Sequence, residues 1–311
     1  MRFIKLIVLL IVAGVSLGIL GGLLGAIHPA LDTLGVFRLH LSVGLGLLAV
    51  LFLLFRRFQY FLFAAVMAGI GIFFSLEGTI LSAQNTPADS TKPVYKLVHF
   101  NLLYTNPEKS RAASSIRALN PDVLMLVEVS PKWDKVFAPL SVHLPYQLRC
   151  PQANGWGGLK LMSRFPINKA KSACHMWGVL GEVEATMPNG KNLTLASTHI
   201  RWPWPASGPK QIDALEETVQ KLPDNVLLAG DFNSTTWSWG VKRFARFGDL
   251  DVVPGIGSTW LLRELPANWI KWAGLPIDNV MYKGDVNIVS AKTLEPLGSD
   301  HLPILVEFQM D

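Results

Sequence analysis

The sequence predicts an α/β domain preceded by three transmembrane helices. Two observations carry that expectation. The first 83 residues are almost unbroken Leu, Ile, Val, Phe, Ala and Gly, whereas the remainder has the composition of an ordinary globular domain. Beyond residue 93, short apolar runs alternate with amphipathic stretches, as strands and helices do.

The apolar runs in the first part are Leu6–Ile27, Leu39–Phe55 and Phe61–Ile80. A helix crosses a bilayer with about 20 apolar residues, the working range being roughly 17 to 25. All three runs qualify, the second at the lower limit. A secretory signal would account for the first run alone, leaving a two-helix hairpin behind it. A soluble helical core would show a charged stripe at helical spacing, and these runs have none. Arg2 and Lys5 precede the first run, and Arg56 and Arg57 separate the second from the third. Cationic flanks stay in the cytoplasm. The segment holding Asp32 and Arg38, and everything after Ile80, is therefore expected outside it. In a bacterial cell this means a multi-pass inner-membrane protein with an extracytoplasmic C-terminal domain.

Residues 1–83 carry five basic and two acidic residues, and the rest carries 23 basic and 21 acidic. The net charge of +5 thus reflects topology more than a nucleic-acid surface, which needs a clustered basic footprint. Cys150 and Cys174 are the two cysteines, both in the exported part. In an oxidising compartment they can form a disulfide, or they can remain two buried thiols.

The chain divides into an anchor over 1–83, a polar linker over 84–93 (QNTPADSTKP), and a domain over 94–311. In the domain, strands are expected at Tyr95–Phe100, Val123–Val127, Tyr146–Arg149, Leu159–Met162, Val179–Thr186, Leu193–Thr198, Val226–Ala229, Asn279–Tyr282 and Ile304–Phe308. Helices are expected at Pro107–Leu119 and Gln211–Leu222, and Pro188-Asn189-Gly190 reads as a hairpin turn.

The polar residues fall in a pattern. Asn101, Glu128, His199, Asp231 with Asn233, Asp278, and Asp300 with His301 stand at or just beyond apolar strands. Neighbouring strand ends gather along one edge of a sheet. A single Asp in such a place is ordinarily a turn residue, and a single His a structural one. Several carboxylates, carboxamides and imidazoles together need a cation, a ligand or mutual pairing, because unpaired buried charge is costly. In GDFN, period-two geometry is expected to put Asp231 and Asn233 on one side and Phe232 in the core.

In order, HFN, LVEV, STHI, GDFN, IDN and GSDH resemble the endonuclease/exonuclease/phosphatase superfamily, DNase I-like, in a membrane-anchored bacterial form. NPDVLMLVEV, GGLKLMSRFPI and TTWSW support the resemblance, which covers about Val94 to Asp311. It implies a four-layer α/β sandwich and a metal-dependent phosphoester hydrolase using Mg²⁺, with Mn²⁺ as a substitute. By the same resemblance Glu128 is the main metal carboxylate with Asn101 beside it, and Asp300 completes the metal or water network. Asp231 orients or deprotonates water, and Asn233 holds Asp231 and a phosphate oxygen. His301 donates to the developing charge on phosphorus, Asp278 fixes its tautomer, and His199 contacts a non-bridging oxygen. His28, His40, His99, His143 and His175 read as structural. Glu182, Glu184, Glu216 and Glu217 read as solvated. Three departures stand out: the tyrosine of the apurinic-endonuclease branch has no counterpart, His199 has no evident carboxylate partner, and Lys160 falls where relatives have a small apolar residue.

All ten tryptophans lie in the exported part. Trp202, Trp204, Trp237 and Trp239 follow site strands, and Trp260, Trp269 and Trp272 precede Asp278. They suit either loop packing or an amphipathic rim at a membrane. The expected partners are the lipid bilayer and a phosphorylated, lipid-linked substrate. A tethered nuclease is the alternative that charge does not favour. A non-catalytic binding module would require a broken constellation.

Overall fold

The computed structural model describes residues 2–81, 88–152 and 157–310. The first part of the expected linker and Trp156 lie outside the described residues.

Four helices begin the chain: α1 (Arg2–Leu23), α2 (Pro29–Val36), α3 (Arg38–Leu54) and α4 (Phe58–Leu81). By length and composition α1 and α4 can each cross a bilayer, while α2 and α3, bent by 57°, qualify as a pair, giving two spans or three. Leu10, Leu17, Leu47, Leu54 and Leu62 are exposed, whereas Ile19, Leu45, Ala49, Ala64 and Ala68 are buried between helices. A bundle that turns large apolar side chains outward and buries alanines between its helices suits lipid. Arg38, expected in the loop between the first two apolar runs, instead opens α3 and is buried. Its guanidinium donates to Gly22 O at 3.3 Å, Ser75 Oγ at 3.1 Å and Phe74 O at 2.6 Å. A fork of five donors can satisfy groups on two helices at once, so it fastens α1, α3 and α4 together.

The domain holds two six-stranded sheets. The first runs β11 (Val286–Thr293), β12 (Ile304–Met310), β1 (Tyr95–Asn101), β2 (Val123–Val129), β4 (Gly158–Ser163), β3 (Tyr146–Cys150). The second runs β5 (Ile167–His175), β6 (Leu180–Thr186), β7 (Asn192–His199), β8 (Val226–Asp231), β10 (Asp278–Lys283), β9 (Asp251–Val252). Leu97, Met125, Leu195, Leu227, Val280 and Val306 meet between the sheets. The alternate residues Val98, Phe100, Leu124 and Leu126 face outward, packing with Trp133 of α6 (Pro131–Phe137) and Ile116 of α5 (Lys109–Ala118). Val226 and Leu228 likewise pack with Ile212 of α7 (Gly208–Ala214), Val219 of α8 (Glu216–Gln220) and Phe244 of α9 (Trp239–Phe247). A short α10 (Ile270–Ala273) precedes β10. This is a four-layer sandwich. Strands buried on both faces read as continuous apolar runs, which is why most were visible in the sequence.

Edge strand β5 was not expected. Its burial is slight, with Lys169 and Lys171 exposed, so it lacks an apolar alternation and carries the charges that protect a free edge. Cys150 on β3 and Cys174 on β5 form a disulfide, with Cα atoms 5.6 Å apart, joining the edges of the two sheets. Glu184, expected on a solvated face, is buried and accepts from Lys171 Nζ at 2.8 Å, and Glu182 pairs with His175 at 2.9 Å. Buried carboxylates persist where a cation meets them.

The disulfide closes a sequence separation of 24 residues. Removing that loop constraint should cost roughly 3 kcal/mol. A Cys150→Ser/Cys174→Ser protein in detergent should therefore unfold at clearly lower denaturant than wild type; an unchanged midpoint would show that the link between sheet edges carries no stability.

Candidate active site

Strand direction builds the site. β1 runs parallel to β2, and β7 parallel to β8, while β12 is antiparallel to β1 and β10 to β8. The last residues of β1, β2, β7 and β8 therefore share an edge with the first residues of β10 and those just before β12. Asn101, Glu128, His199, Asp231, Asp278 and His301 occupy these positions.

The break at Gly230 has a steric cause. A Cβ there would lie 2.3 Å from Thr198 O on the adjacent strand. Asp231 follows, 1% exposed. It stands in register with Asp278 on β10 and His199 on β7. Its Oδ2 lies 2.9 Å from Asn101 Nδ2, 3.6 Å from His199 Nε2 and 3.7 Å from His301 Nε2. His199 thus has its carboxylate partner after all. Phe232 does turn into the core, against Phe244.

Asn233 departs from the period-two expectation, because the strand stops at Asp231 and Asn233 adopts a left-handed φ of 48°. Its backbone N–H donates to Asp231 Oδ1 at 2.8 Å, and its side-chain amide donates to Ile200 O at 2.8 Å. The main chain holds the carboxylate, while the side chain braces the loop after β7.

Asp278 is held from two sides. Its Oδ2 lies 2.7 Å from His301 Nδ1 and its Oδ1 lies 3.1 Å from His99 Nε2. His99 is fully buried and is a site residue that the sequence reading left as structural. The available signal was its place in HFN: two residues before Asn101 on one strand, it faces the same side.

Glu128 sits at a bulge where the β2–β4 register shifts between Leu126 and Val129. Its φ is 57°, and Gly157 packs over it so closely that a Cβ would fall 2.5 Å from Glu128 C. Bulges re-aim side chains. Here the half-buried carboxylate accepts from Tyr104 N at 3.0 Å and Asn101 Nδ2 at 3.3 Å. The amide of Asn101 therefore bridges Glu128 and Asp231, while its Oδ1 accepts from Leu103 N at 3.0 Å. Asp300 lies beside His301 in sequence, but its Oδ2 accepts from Trp260 Nε1 at 3.4 Å. The carboxylates of Asp231 and Asp278 and the ring of His301 have ligand atoms within 4.8 Å of one another.

Charge follows geometry. Burial pushes the Asp231 carboxyl above its usual range and the Asp278 charge adds to that, against the opposing pull of His301 and His199. Burial would raise Asp278 too, but His301 and His99 outweigh it and hold this carboxyl well below the ordinary range. Burial would lower His301, but Asp278 and Asp231 outweigh it and push the imidazole up to about 10. His301 is thus a cation paired through Nδ1 with Asp278, presenting Nε2–H toward Asp231.

Helix α2 holds the rim. Asp32 accepts from Trp239 N at 2.6 Å and Gly240 N at 2.8 Å in the first turn of α9. Trp237 Nε1 donates to Gly35 O at 2.8 Å, and Thr33 Oγ1 donates to Trp204 O at 3.1 Å. The loops after His199 and Asp231 both rest on the N-terminal helices. Lys160 is buried but pairs with Asp134 at 3.0 Å, which accounts for a lysine in an apolar setting.

A sequence model of the Endonuclease/Exonuclease/phosphatase family matches residues 98–301. The chain belongs to this family. Its members hydrolyse phosphoester bonds. A UPF0294 protein of Yersinia enterocolitica is 36% identical over 104 residues, 32% of this chain and 35% of that protein. The chain spans about a third of the length of the curated relatives it matches. Among solved structures, an endonuclease/exonuclease/phosphatase from Bacteroides vulgatus superposes with a TM-score of 0.57 at 16% identity, covering 71% of this chain and 100% of that one. A Staphylococcus aureus beta toxin with bound magnesium ions superposes at 0.53 and 17% identity, covering 70% and 100%. These likenesses show the shared fold.

The His301 pairing makes stability depend on pH. A raised histidine contributes stability that is fully present below its unfolded pKa of 6.5 and is lost as pH rises through about 10. The unfolding free energy of the wild type should therefore fall across that window, and His301→Gln should remove that part of the slope. Parallel profiles for the two proteins would show that His301 is not held as a cation.

Proposed function

We propose that the protein is a divalent-metal-dependent phosphatase or phosphodiesterase of the bacterial inner membrane, acting outside the cytoplasm on a lipid-linked phosphate. Residues 1–83 are its anchor, 84–93 its linker and 94–311 its catalytic domain. The observation that carries the reading is Asp231 Oδ2, a buried carboxylate oxygen at the focus of Asn101, His199 and His301.

The residues suit Mg²⁺, with Mn²⁺ as a substitute. Mg²⁺ takes oxygen ligands, keeps several waters, and is bound through one or two carboxylates together with substrate phosphate. Glu128 would hold it, with Asn101 adjacent and Asp300 in the surrounding water network. The Asp231–Asp278–His301 group is a poorer holder, because both oxygens of Asp278 are taken by imidazoles. When bound, the ion would neutralise negative charge on the phosphoryl oxygens.

The chain's own groups supply the rest. Asp231, with its raised carboxyl, takes a proton from the attacking water. His301 Nε2–H donates to the charge that develops on the phosphoryl group. Asp278 keeps the His301 ring protonated and oriented for this donation, and His99 holds Asp278 in turn. His199 contacts a second phosphoryl oxygen. Asn233 fixes Asp231 from its main chain. The lipid-linked substrate is supported by the apolar helices, by α2 holding the rim against them, and by a domain charge too balanced for a phosphate-backbone surface.

Full-length protein in detergent with Mg²⁺ should release phosphate from a polyprenyl diphosphate, and chelation should abolish it. Asp231→Ala and His301→Ala should each lower turnover by at least about 10²-fold without unfolding the protein. Turnover near wild type in either would remove that residue from the mechanism, and activity after complete metal removal would overturn the reading.

A further inference from the structure

Between β9 and β10 the chain leaves the sandwich in an excursion, residues 261–273. Its base is pinched shut: Trp260 N donates to Leu275 O at 3.0 Å and Leu275 N to Trp260 O at 2.8 Å. The same base is built into the catalytic edge. Trp260 forms a β-bridge with His301, and Leu261 N donates to Asp300 O at 3.2 Å. The position of the excursion is therefore tied to that of His301.

Its outer surface is apolar. Leu262 is 55% exposed, Leu265 40%, Trp269 51% and Trp272 89%, while Ile270 turns inward at 1%. Four large apolar side chains in 11 residues, with Arg263, Glu264 and Lys271 among them, make an amphipathic surface. Tryptophan favours the headgroup level of a bilayer, with one side apolar and the other wet.

The anchor sets the depth. Val36 at the end of α2 packs with Leu275, Ile277 and Trp260 at the base of the excursion. At its far end Ala273 O lies 2.9 Å from His40 Nε2, in the first turn of α3. That turn is where the second apolar run begins. The excursion, whose residue Trp272 adjoins Ala273, is thus fastened to the start of that apolar run.

We propose that residues 261–273 form a wedge that enters the headgroup layer of the membrane the anchor crosses, setting the His301 edge against phosphate groups borne by lipid. The part concerning substrate rests on the hydrolase reading above; the wedge itself does not. The wedge and the spans together hold the domain at two places, so the catalytic edge keeps a fixed height and substrate reaches it along the bilayer surface.

The test uses full-length protein in lipid nanodiscs. Both native cysteines are in the disulfide, so Trp272→Cys provides a single thiol for a fluorophore. Val142→Cys is the control. It is 92% exposed and lies just before β3, whose first residue, Tyr146, aligns through Ser163 with Val123 at the edge opposite the site. Lipids carrying a quencher near the headgroup should quench the label at 272 at least about three-fold more than at 142, as for a side chain in the interface. Equal quenching would overturn the wedge, including the case in which a second copy of the chain covers this surface. A Trp269→Ser/Trp272→Ser protein should then show a lower ratio of lipid-borne to water-soluble phosphodiester hydrolysis, by about ten-fold. An unchanged ratio would overturn the substrate assignment. If wild type cleaves neither ester while the label at 272 is quenched, the wedge stands and the hydrolase reading fails.

Discussion

Two carboxylates set the terms for this structure. Asp231 and Asp278 stand directly opposite each other on antiparallel strands, both almost wholly buried. Like charges in that position are destabilising, and a buried ion without a partner costs several kcal/mol. The fold answers with imidazoles from three other places. His301 and His99 take the two oxygens of Asp278, and His199 and His301 face Asp231. Because the answer is unequal, the two carboxyls diverge, one held far below its usual range and the other raised. Divergent environments of this sort assign different roles to like groups. In the proposed mechanism Asp278 is the fixed counter-charge and Asp231 the base.

That arrangement depends on strand direction more than on any loop. Asn101 and His99 come from the first sheet, Asp231, His199 and Asp278 from the second, and His301 from the segment entering β12. The two sheets must meet at one edge for Asn101 to reach Asp231 at 2.9 Å. The disulfide between the outermost strands β3 and β5, and the shared core between the sheets, keep their relative placement fixed. Helix α2 adds a further restraint. Asp32 places a carboxylate at the first turn of α9, where helix N–H groups lack internal partners. It thereby ties α2 to the loop that follows Asp231.

Much of this could be read from residue order. Strands such as β2 and β8 announced themselves because both faces are buried, and the polar residues at their ends marked the site. The strands not expected, β5, β9 and β11, lack a continuous buried apolar run. β5 has little apolar content and is held by pairing to β6 and by the disulfide. Arg38 read as a loop residue, because nothing local reveals that carbonyls of α1 and α4 will receive it. His99 looked like a core residue for a similar reason: its partner Asp278 lies 179 positions away. Asn233 departs from the expected alternation because a strand period cannot foresee a left-handed residue.

Within the site, the least symmetric feature is Glu128, turned by a bulge and a left-handed φ away from the imidazoles and toward the amide of Asn101. In the proposed mechanism Glu128 would hold the cation and Asp231 would handle the proton, a separation between two carboxylates. Anomalous diffraction from Mn²⁺-soaked crystals of the full-length protein tests that separation directly. A peak is expected at coordination distance from the Glu128 carboxylate, with the Asp278–His301 contact intact. A peak between Asp231 and Asp278 that displaces His301, or none near Glu128, would contradict it.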